Sequence, residues 1–317
     1  MADIVWLASY PRSGNTWFRI FLANLLHPKS EPLNINDLPE RNTIASARET
    51  FDEITGLCAG ILTPLQIEIL RPRVYETLAA ESPKRLFLKV HDAYTMTPEG
   101  EPMMSRNATA GAIYIVRNPL DVAVSVAHHA AKSIDWAIEG MADEQRRLVR
   151  RSDCQGMQLT QKLLTWSGHV SSWLNAPGLP VHCVRYEDMQ LRPMDTFLAA
   201  ATFGGIACDT EAVRRAVMKS NFKELQAQEL RSGFVERMPK TEVFFRQGKV
   251  GGWRQALTRT QVDRIVSDHG DMMSRLGYLT DDGRVSDVPE TTTAHDGAMG
   301  ERSAQFIPME DNRATLA

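Results

Sequence analysis

The segment Trp6–Leu26, WLASYPRSGNTWFRIFLANLL, constrains this chain more than any other. The β-branched and aromatic run over Asp3–Ser9 predicts a strand. Thr16–Leu26 carries apolar residues at Trp17, Phe18, Ile20, Phe21, Leu22, Leu25 and Leu26, the pattern of a mostly buried helix. Between them, Tyr-Pro-Arg-Ser-Gly-Asn-Thr must turn a strand into a helix within a few residues. The first N–H groups of such a helix have no intrahelical acceptor, and its dipole favours an anion. Gly14 lets the backbone come close to a phosphate, and Arg12, Ser13, Asn15 and Thr16 add side-chain donors. An ordinary capped helix after a tight turn has the same local signature. The stretch also lacks the Gly-x-x-x-x-Gly-Lys-Ser/Thr of a nucleotide triphosphatase.

Three further buried runs predict strands: Arg85–Val90 (RLFLKV), Gly111–Val116 (GAIYIV) and Val181–Tyr186 (VHCVRY). Helical patterns fill Pro64–Ala80 and the stretch from Pro119. Strands alternating with helices predict one α/β domain over residues 1–280, a central parallel sheet flanked by helices with a P-loop-like phosphate loop. His27–Asn42 reads as loop. Within the charged stretch Lys132–Gln158, residues Glu144–Arg151 fit a solvated helix or a mobile lid equally. Residues 281–317 are polar and patternless, which predicts a disordered tail; its one apolar patch is Phe306-Ile307.

The formal net charge is -3, with 36 Lys and Arg against 39 Asp and Glu. That balance gives no general pull toward nucleic acid or an anionic membrane, so any anion site must be built locally. Cys58, Cys154, Cys183 and Cys208 are far apart, without zinc or Cys-x-x-Cys spacing. They read as free thiols of a reducing, cytoplasmic compartment. No secretory leader and no run of 18 apolar residues is evident, so neither export nor a membrane span is expected.

Three other segments carry chemistry. Ile113–Ser125, IYIVRNPLDVAVS, puts Arg117 at a strand end, Pro119 in a first helical turn and Ser125 two turns in. Arg117 offers a rigid fork for a phosphate; a salt bridge to Asp121 is the structural alternative. The stretch from Arg246 through Trp253, RQGKVGG and the tryptophan, has three glycines able to wrap an anion with backbone N–H groups. Phe87–His91, FLKVH, places Lys89 and His91 two apart on an extended chain, hence on one face at a ligand-facing strand end.

Taken in order, these four segments resemble the PAPS-dependent sulfotransferases over about residues 3–280. Tyr-Pro-Arg-Ser-Gly-Asn-Thr-Trp is similar to the family's 5′-phosphosulfate loop, Tyr-Pro-Lys-Ser-Gly-Thr-Thr-Trp. Arg-Asn-Pro-Leu-Asp-Val-Ala-Val-Ser resembles its 3′-phosphate segment. The glycine loop resembles Arg-Lys-Gly-x-x-Gly-x-Trp-Lys, and Lys89-Val-His91 resembles Lys-Thr-His. The resemblance implies transfer of a sulfuryl group from PAPS to a hydroxyl or amine of a small-molecule acceptor, releasing 3′,5′-ADP without a metal. It implies His91 as general base, Lys89 and Arg12 as charge stabilisers, and a 5′-phosphate held by Arg12, Ser13, Gly14, Asn15 and Thr16. Arg117, Ser125, Arg246, Gln247 and Gly248 are implied at the 3′-phosphate. Trp17 and Phe222 are implied as walls for the adenine, with Ser220 and Tyr186 making polar contacts at its edge.

Three positions depart from the family pattern. Arg12 stands where lysine is usual, so its role is purely electrostatic. Gln247 replaces a basic residue. The dimer motif is degenerate over Arg254–Asp263, keeping Thr258 but placing Arg259 at the valine position, so monomer and homodimer both stay open. A P-loop nucleotide kinase and a non-catalytic PAPS or 3′,5′-ADP-binding module are the competing readings. The missing Gly-Lys-Ser/Thr opposes the first, and the Lys89–His91 pair opposes the second. Possible acceptor walls are Asp92–Arg106, with Met96, Met103 and Met104, and the 132–158 segment, with Trp136 and Met141; core packing explains these side chains equally well. His128-His129 read equally as pocket or surface.

Overall fold

The computed structural model describes residues 3–38, 44–149, 156–237, 241, 243–246 and 248–286. Gln247, Cys154 and residues 287–317, with Phe306-Ile307, lie outside them. Strands β1 (Ile4–Ala8), β2 (Leu86–Val90), β3 (Thr109–Val116) and β4 (Val181–Arg185) form one parallel sheet in the order β2-β1-β3-β4. All four strands predicted from apolar runs are present. β3 begins two residues earlier than expected because Thr109 pairs with Ile4 and its hydroxyl accepts from Trp6 Nε1 at 2.9 Å.

Alternation along β1 assigns its side chains to two layers. Ile4, Trp6 and Ala8 face a core with Tyr75, Tyr114, Trp166 and Trp173; Val5 and Leu7 face one with Phe18, Phe21, Ile113, Ile115 and Phe197. Both faces are covered, so β1 is apolar throughout rather than alternating. Each fully buried side chain of this size contributes roughly 1.5–3 kcal/mol.

Helix α1 (Asn15–Leu26) packs Phe18, Phe21, Leu22 and Leu25 on the second face. Helix α2 (Pro64–Glu81) is started by a capping box between Thr63 and Gln66 and sends Arg71, Val74 and Tyr75 into the first core. Helix α3 (Pro119–Ala130) is capped by Asn118, and α4 (Trp166–Leu174) by Thr165. Helix α5 (Phe222–Ser232) and helix α6 (Arg259–Arg275), the last among the described residues, are capped by Asn221 and Thr258. Thr258, from the degenerate dimer motif, thus works as a helix cap.

Two expectations are corrected. Arg147-Leu148 form no solvated helix; they pair antiparallel with Gln161-Lys162, and Glu68 holds Lys162 at 2.6 Å. Partly buried Leu148 packs against the first core, which draws this stretch down onto the domain. Residues 281–286 also differ from the disordered stretch expected there. Ser286 N donates to Tyr278 O at 3.0 Å and Leu279 bridges Val285, so 281–286 turn back on the domain.

Candidate active site

The carboxyl ends of the four strands meet one edge of the sheet, where the strand order reverses between β1 and β3. Each delivers a site residue directly: Ser9 after β1, His91 after β2, Arg117 after β3 and Tyr186 after β4. The loop after β1 reaches α1 through two left-handed residues, Arg12 at φ 70° and Gly14 at φ 105°. Glycine is required at position 14 on two counts. Besides its φ, a Cβ there would come 2.6 Å from the Tyr186 ring. Arg12 carries a side chain in a region costly for it, a strain that functional loops retain.

Several features of this loop suit an anion. No side chain caps α1 and no acidic residue lies in its first turn. The Ser13 hydroxyl is fully buried and has no partner among the described residues. Arg12 is pushed down to about 10, first by burial and then by the charge of Arg117, with Arg246 adding to it. Arg12, Arg117 and Arg246 thus crowd one another, and among the described residues none forms an ion pair. Three cations gathered with no carboxylate paired to any of them suit a multiply charged anion.

Arg117 does not pair with Asp121. Its Nη1 donates to Arg12 O at 3.3 Å, its Nη2 to Lys249 O at 3.1 Å, and its guanidinium lies 4.3 Å over the Tyr186 ring. Its Nε is buried without a partner among the described residues. Asp121 instead accepts from Gly251 N at 2.8 Å and Trp253 N at 3.0 Å, anchoring the glycine loop on α3. Gly248 sits at φ 60° with the Phe222 ring 2.5 Å from where a Cβ would be, and Gln190 holds its carbonyl at 2.8 Å. Arg246 is exposed at the mouth of this loop. Ser125 accepts from Arg12 Nε at 3.1 Å, so it joins the two phosphate-type loops.

Trp17 and Phe222 are both half-buried and pack against one cluster with Phe244 and Phe245. Trp17 Nε1 donates to Ser220 O at 2.7 Å, and its ring meets Tyr186 edge-on. Ser220 and Asn15 differ from expectation. The Ser220 hydroxyl is buried and donates to Ala216 O at 2.8 Å, so Ser220 serves the site by fixing Trp17. Asn15 Nδ2 turns inward to Leu7 O at 2.8 Å and Ser9 Oγ at 3.2 Å, so its side-chain donors are taken within the fold.

On the other side, His91 Nδ1 lies 2.8 Å from Ser9 O and 3.2 Å from Ser9 Oγ. A carbonyl only accepts, so Nδ1 carries the proton and Nε2 keeps its lone pair. Burial, then the neighbouring Lys89 charge, pushes His91 down to about 3. Its backbone is braced from behind: His169 Nε2 donates to His91 O at 3.0 Å, and Tyr114 OH donates to His169 Nδ1 at 2.8 Å. Next to it, Arg71 clamps the buried Asp92 carboxylate with bonds of 3.0 and 2.7 Å. Breaking that pair would leave an uncompensated buried charge, costing about 3–5 kcal/mol.

Lys89 points to the same edge, and its Nζ lies 3.3 Å from Glu236 Oε2. Burial pulls its ammonium below the ordinary value, and the Glu236 charge opposes that pull. Glu236, together with Arg19, was not visible from sequence. The available signal was Arg19 itself, a cation inside the apolar helix pattern Phe18–Leu22, which demands a buried counter-charge. Met103, Met104 and Met141 prove to be core, whereas Met96 is exposed. Trp136 lies under Arg146 at 4.6 Å. His128 is exposed; His129 turns toward Phe244, its Nδ1 buried and without a partner among the described residues.

Known proteins resemble this chain in sequence and in fold. Cytosolic sulfotransferase 13 of Arabidopsis thaliana is 26% identical over 276 residues, spanning 83% of this chain and 74% of that protein. Flavonol 3-sulfotransferase of Flaveria bidentis is 23% identical, spanning 82% and 78%. Among solved structures, mouse sulfotransferase SULT7A1 complexed with PAP aligns with a TM-score of 0.54 at 20% identity, covering 89% of this chain and 87% of that one. Retinol dehydratase with androsterone and inactive cofactor PAP gives 0.55 at 19%, covering 85% and 80%. Residues 2–277 match the sulfotransferase domain family, and the chain belongs to it.

Proposed function

We propose that this protein moves the sulfuryl group of PAPS to a hydroxyl or amine of a small-molecule acceptor and releases 3′,5′-ADP, with His91 as general base. The observation that carries the reading is the Ser9–His91 bond. It fixes an unprotonated Nε2 at the strand edge where Arg12 and Lys89 converge. In an in-line displacement, the acceptor oxygen forms its bond to sulfur as the bond from sulfur to the bridging phosphate oxygen breaks. The acceptor proton passes to His91 Nε2, an assistance worth roughly 10²–10⁴ in rate. Arg12 stabilises the charge that develops on the departing oxygen, and Lys89 that on the sulfuryl oxygens.

The backbone N–H groups of Ser13–Thr16 and the unpartnered Ser13 hydroxyl hold the 5′-phosphate. Arg117, Ser125, Arg246 and Gly248 hold the 3′-phosphate, with Gln247 in the same loop. Trp17 and Phe222 wall the adenine, Tyr186 supports one side and Ser220 steadies Trp17. His91 is a weak base in the free protein because burial disfavours its charged form and, beyond that, the nearby Lys89 ammonium opposes its protonation even with Glu236 facing it. The additional negative charge of a bound donor lessens the Lys89 part of that opposition, so base strength rises when the site is filled. Half-buried His129 and Phe244 border the acceptor side.

Incubation with PAPS labelled on sulfur and pooled phenols, alcohols, sugars and amines is the test. Labelled organic sulfate must appear together with 3′,5′-ADP. A thermal shift with ATP and Mg²⁺ but none with 3′,5′-ADP in EDTA would instead support the kinase reading. Binding of 3′,5′-ADP without turnover on any pool would support a binding module.

A further inference from the structure

Glu236 places a carboxylate on the very groups assigned to the donor. Its two oxygens are used differently. Oε1 accepts from Arg19 Nη1 at 2.7 Å, and the Arg19 side chain is only 3% exposed. Oε2 faces Lys89 Nζ at 3.3 Å and Thr16 Oγ1 at 3.4 Å. The turn that carries it is pinned: Phe234 is core, Val235 N donates to Asn36 Oδ1 at 2.9 Å, and Arg237 N donates to Phe234 O at 3.1 Å. The carboxylate is therefore held at a fixed place by a buried cation, with one oxygen turned to the phosphate loop and to Lys89.

We propose that Glu236 is a specificity-determining residue for the donor: its outward oxygen stands in for the donor's sulfuryl and phosphate oxygens, and a ligand takes Lys89 and Thr16 only by outcompeting it. This rests on the reading of Lys89 and Thr16 given above. A carboxylate offers one free oxygen here, because Arg19 retains the other. A sulfuryl group joined to a 5′-phosphate offers several oxygens to the same two donors, and so prevails. An adenosine carrying only a 3′-phosphate has nothing to exchange for the Glu236 contact. The contest thus favours ligands charged at the 5′ end. Arg19 keeps Glu236 in place after the exchange, so the contact re-forms when the donor product leaves.

Two variants test this, each by calorimetry without acceptor. Glu236→Gln keeps the shape and an acceptor for Arg19 but removes the charge. Glu236→Asp keeps the charge and withdraws the outward oxygen by one methylene. Both should bind PAPS about tenfold more tightly than the wild type, the scale of one charged hydrogen bond no longer displaced. The gain should be smaller for 3′,5′-ADP, which lacks the sulfuryl group, and absent for adenosine 3′-phosphate. Unchanged PAPS affinity in both variants overturns the proposal. So does an equal gain for adenosine 3′-phosphate, or a gain in Glu236→Gln alone, since either marks a general charge effect. Should Glu236→Gln fail to melt cooperatively, Glu236→Asp decides. A wild-type protein that binds neither PAPS nor 3′,5′-ADP defeats the donor assignment itself, a distinct result.

Discussion

The two ends of the proposed donor site handle charge in opposite ways. Around Lys89 and His91 each ionic group has a partner inside the protein: Glu236 for Arg19 and Lys89, Asp92 for Arg71, and the Ser9 carbonyl for the His91 ring. Around Arg117 and Arg246 the cations meet backbone carbonyls, an aromatic face or solvent, and no carboxylate pairs with them among the described residues. The first end is rigid and internally balanced, as groups that must meet a reacting atom require. The second is left electrically incomplete, so a phosphate supplies what the fold omits. Chemistry and affinity should therefore separate between the two ends.

The sharpest way to break that division is His91→Ala. It should lower kcat for sulfuryl transfer by about 10²–10⁴ while leaving the 3′,5′-ADP dissociation constant unchanged. Survival of kcat within about threefold removes His91 as the base. Arg117→Ala should do the reverse, weakening 3′,5′-ADP by about 1.5–3 kcal/mol in calorimetry, the scale of a charged hydrogen bond. Its kcat at saturating PAPS should change far less.

Gly248→Ala should be milder. Its methyl would meet the Phe222 ring and its φ of 60° favours glycine, so the loop must shift. About 1–3 kcal/mol of overpacking strain is expected, read as weaker 3′,5′-ADP binding with the melting temperature of the domain nearly kept. A kcat defect larger than the binding defect would show that the two ends are not separable.

The smallest effect is with pH. Because His91 lies near 3, the free enzyme already holds it neutral, and kcat/KM for PAPS should vary by less than about twofold on its account between pH 5.5 and 8. An acidic limb near 6.5 contradicts its environment. The fold itself should still feel acid through the fully buried His169, which burial lowers to about 4. With the folded value depressed, the unfolded chain takes the proton first. Stability is complete above about 6.5 and declines as pH falls toward 4, by about 1.4 kcal/mol per unit for one such group. The pH dependence of melting should be shallower in His169→Gln over that window, the remainder coming from His91, His129 and His269, which burial lowers in the same direction.

The four strands and the loop after β1 were legible because apolar runs and a strand–turn–helix pattern are local in sequence. The basic segments were legible because each stands beside a strand end or a glycine cluster. What stayed hidden depends on contacts between distant residues. Glu236 reaches Lys89 across 147 positions and Arg19 across 217, with no local pattern to announce either. Asp121 looked like a partner for Arg117, four residues away, yet it anchors backbone N–H groups 130 and 132 residues on. Ser220 reads from sequence as a polar contact for a ligand, but a helix terminus claims its hydroxyl, a competition that sequence alone does not rank.

Arg117 grasps the carbonyls of Arg12 and Lys249 with one planar fork. The hairpin of chain after the first strand and the glycine loop near the last helix are thereby yoked. The spacing between the two loops is set before any nucleotide arrives, so a ligand that seats on one of them finds the other already at its working distance.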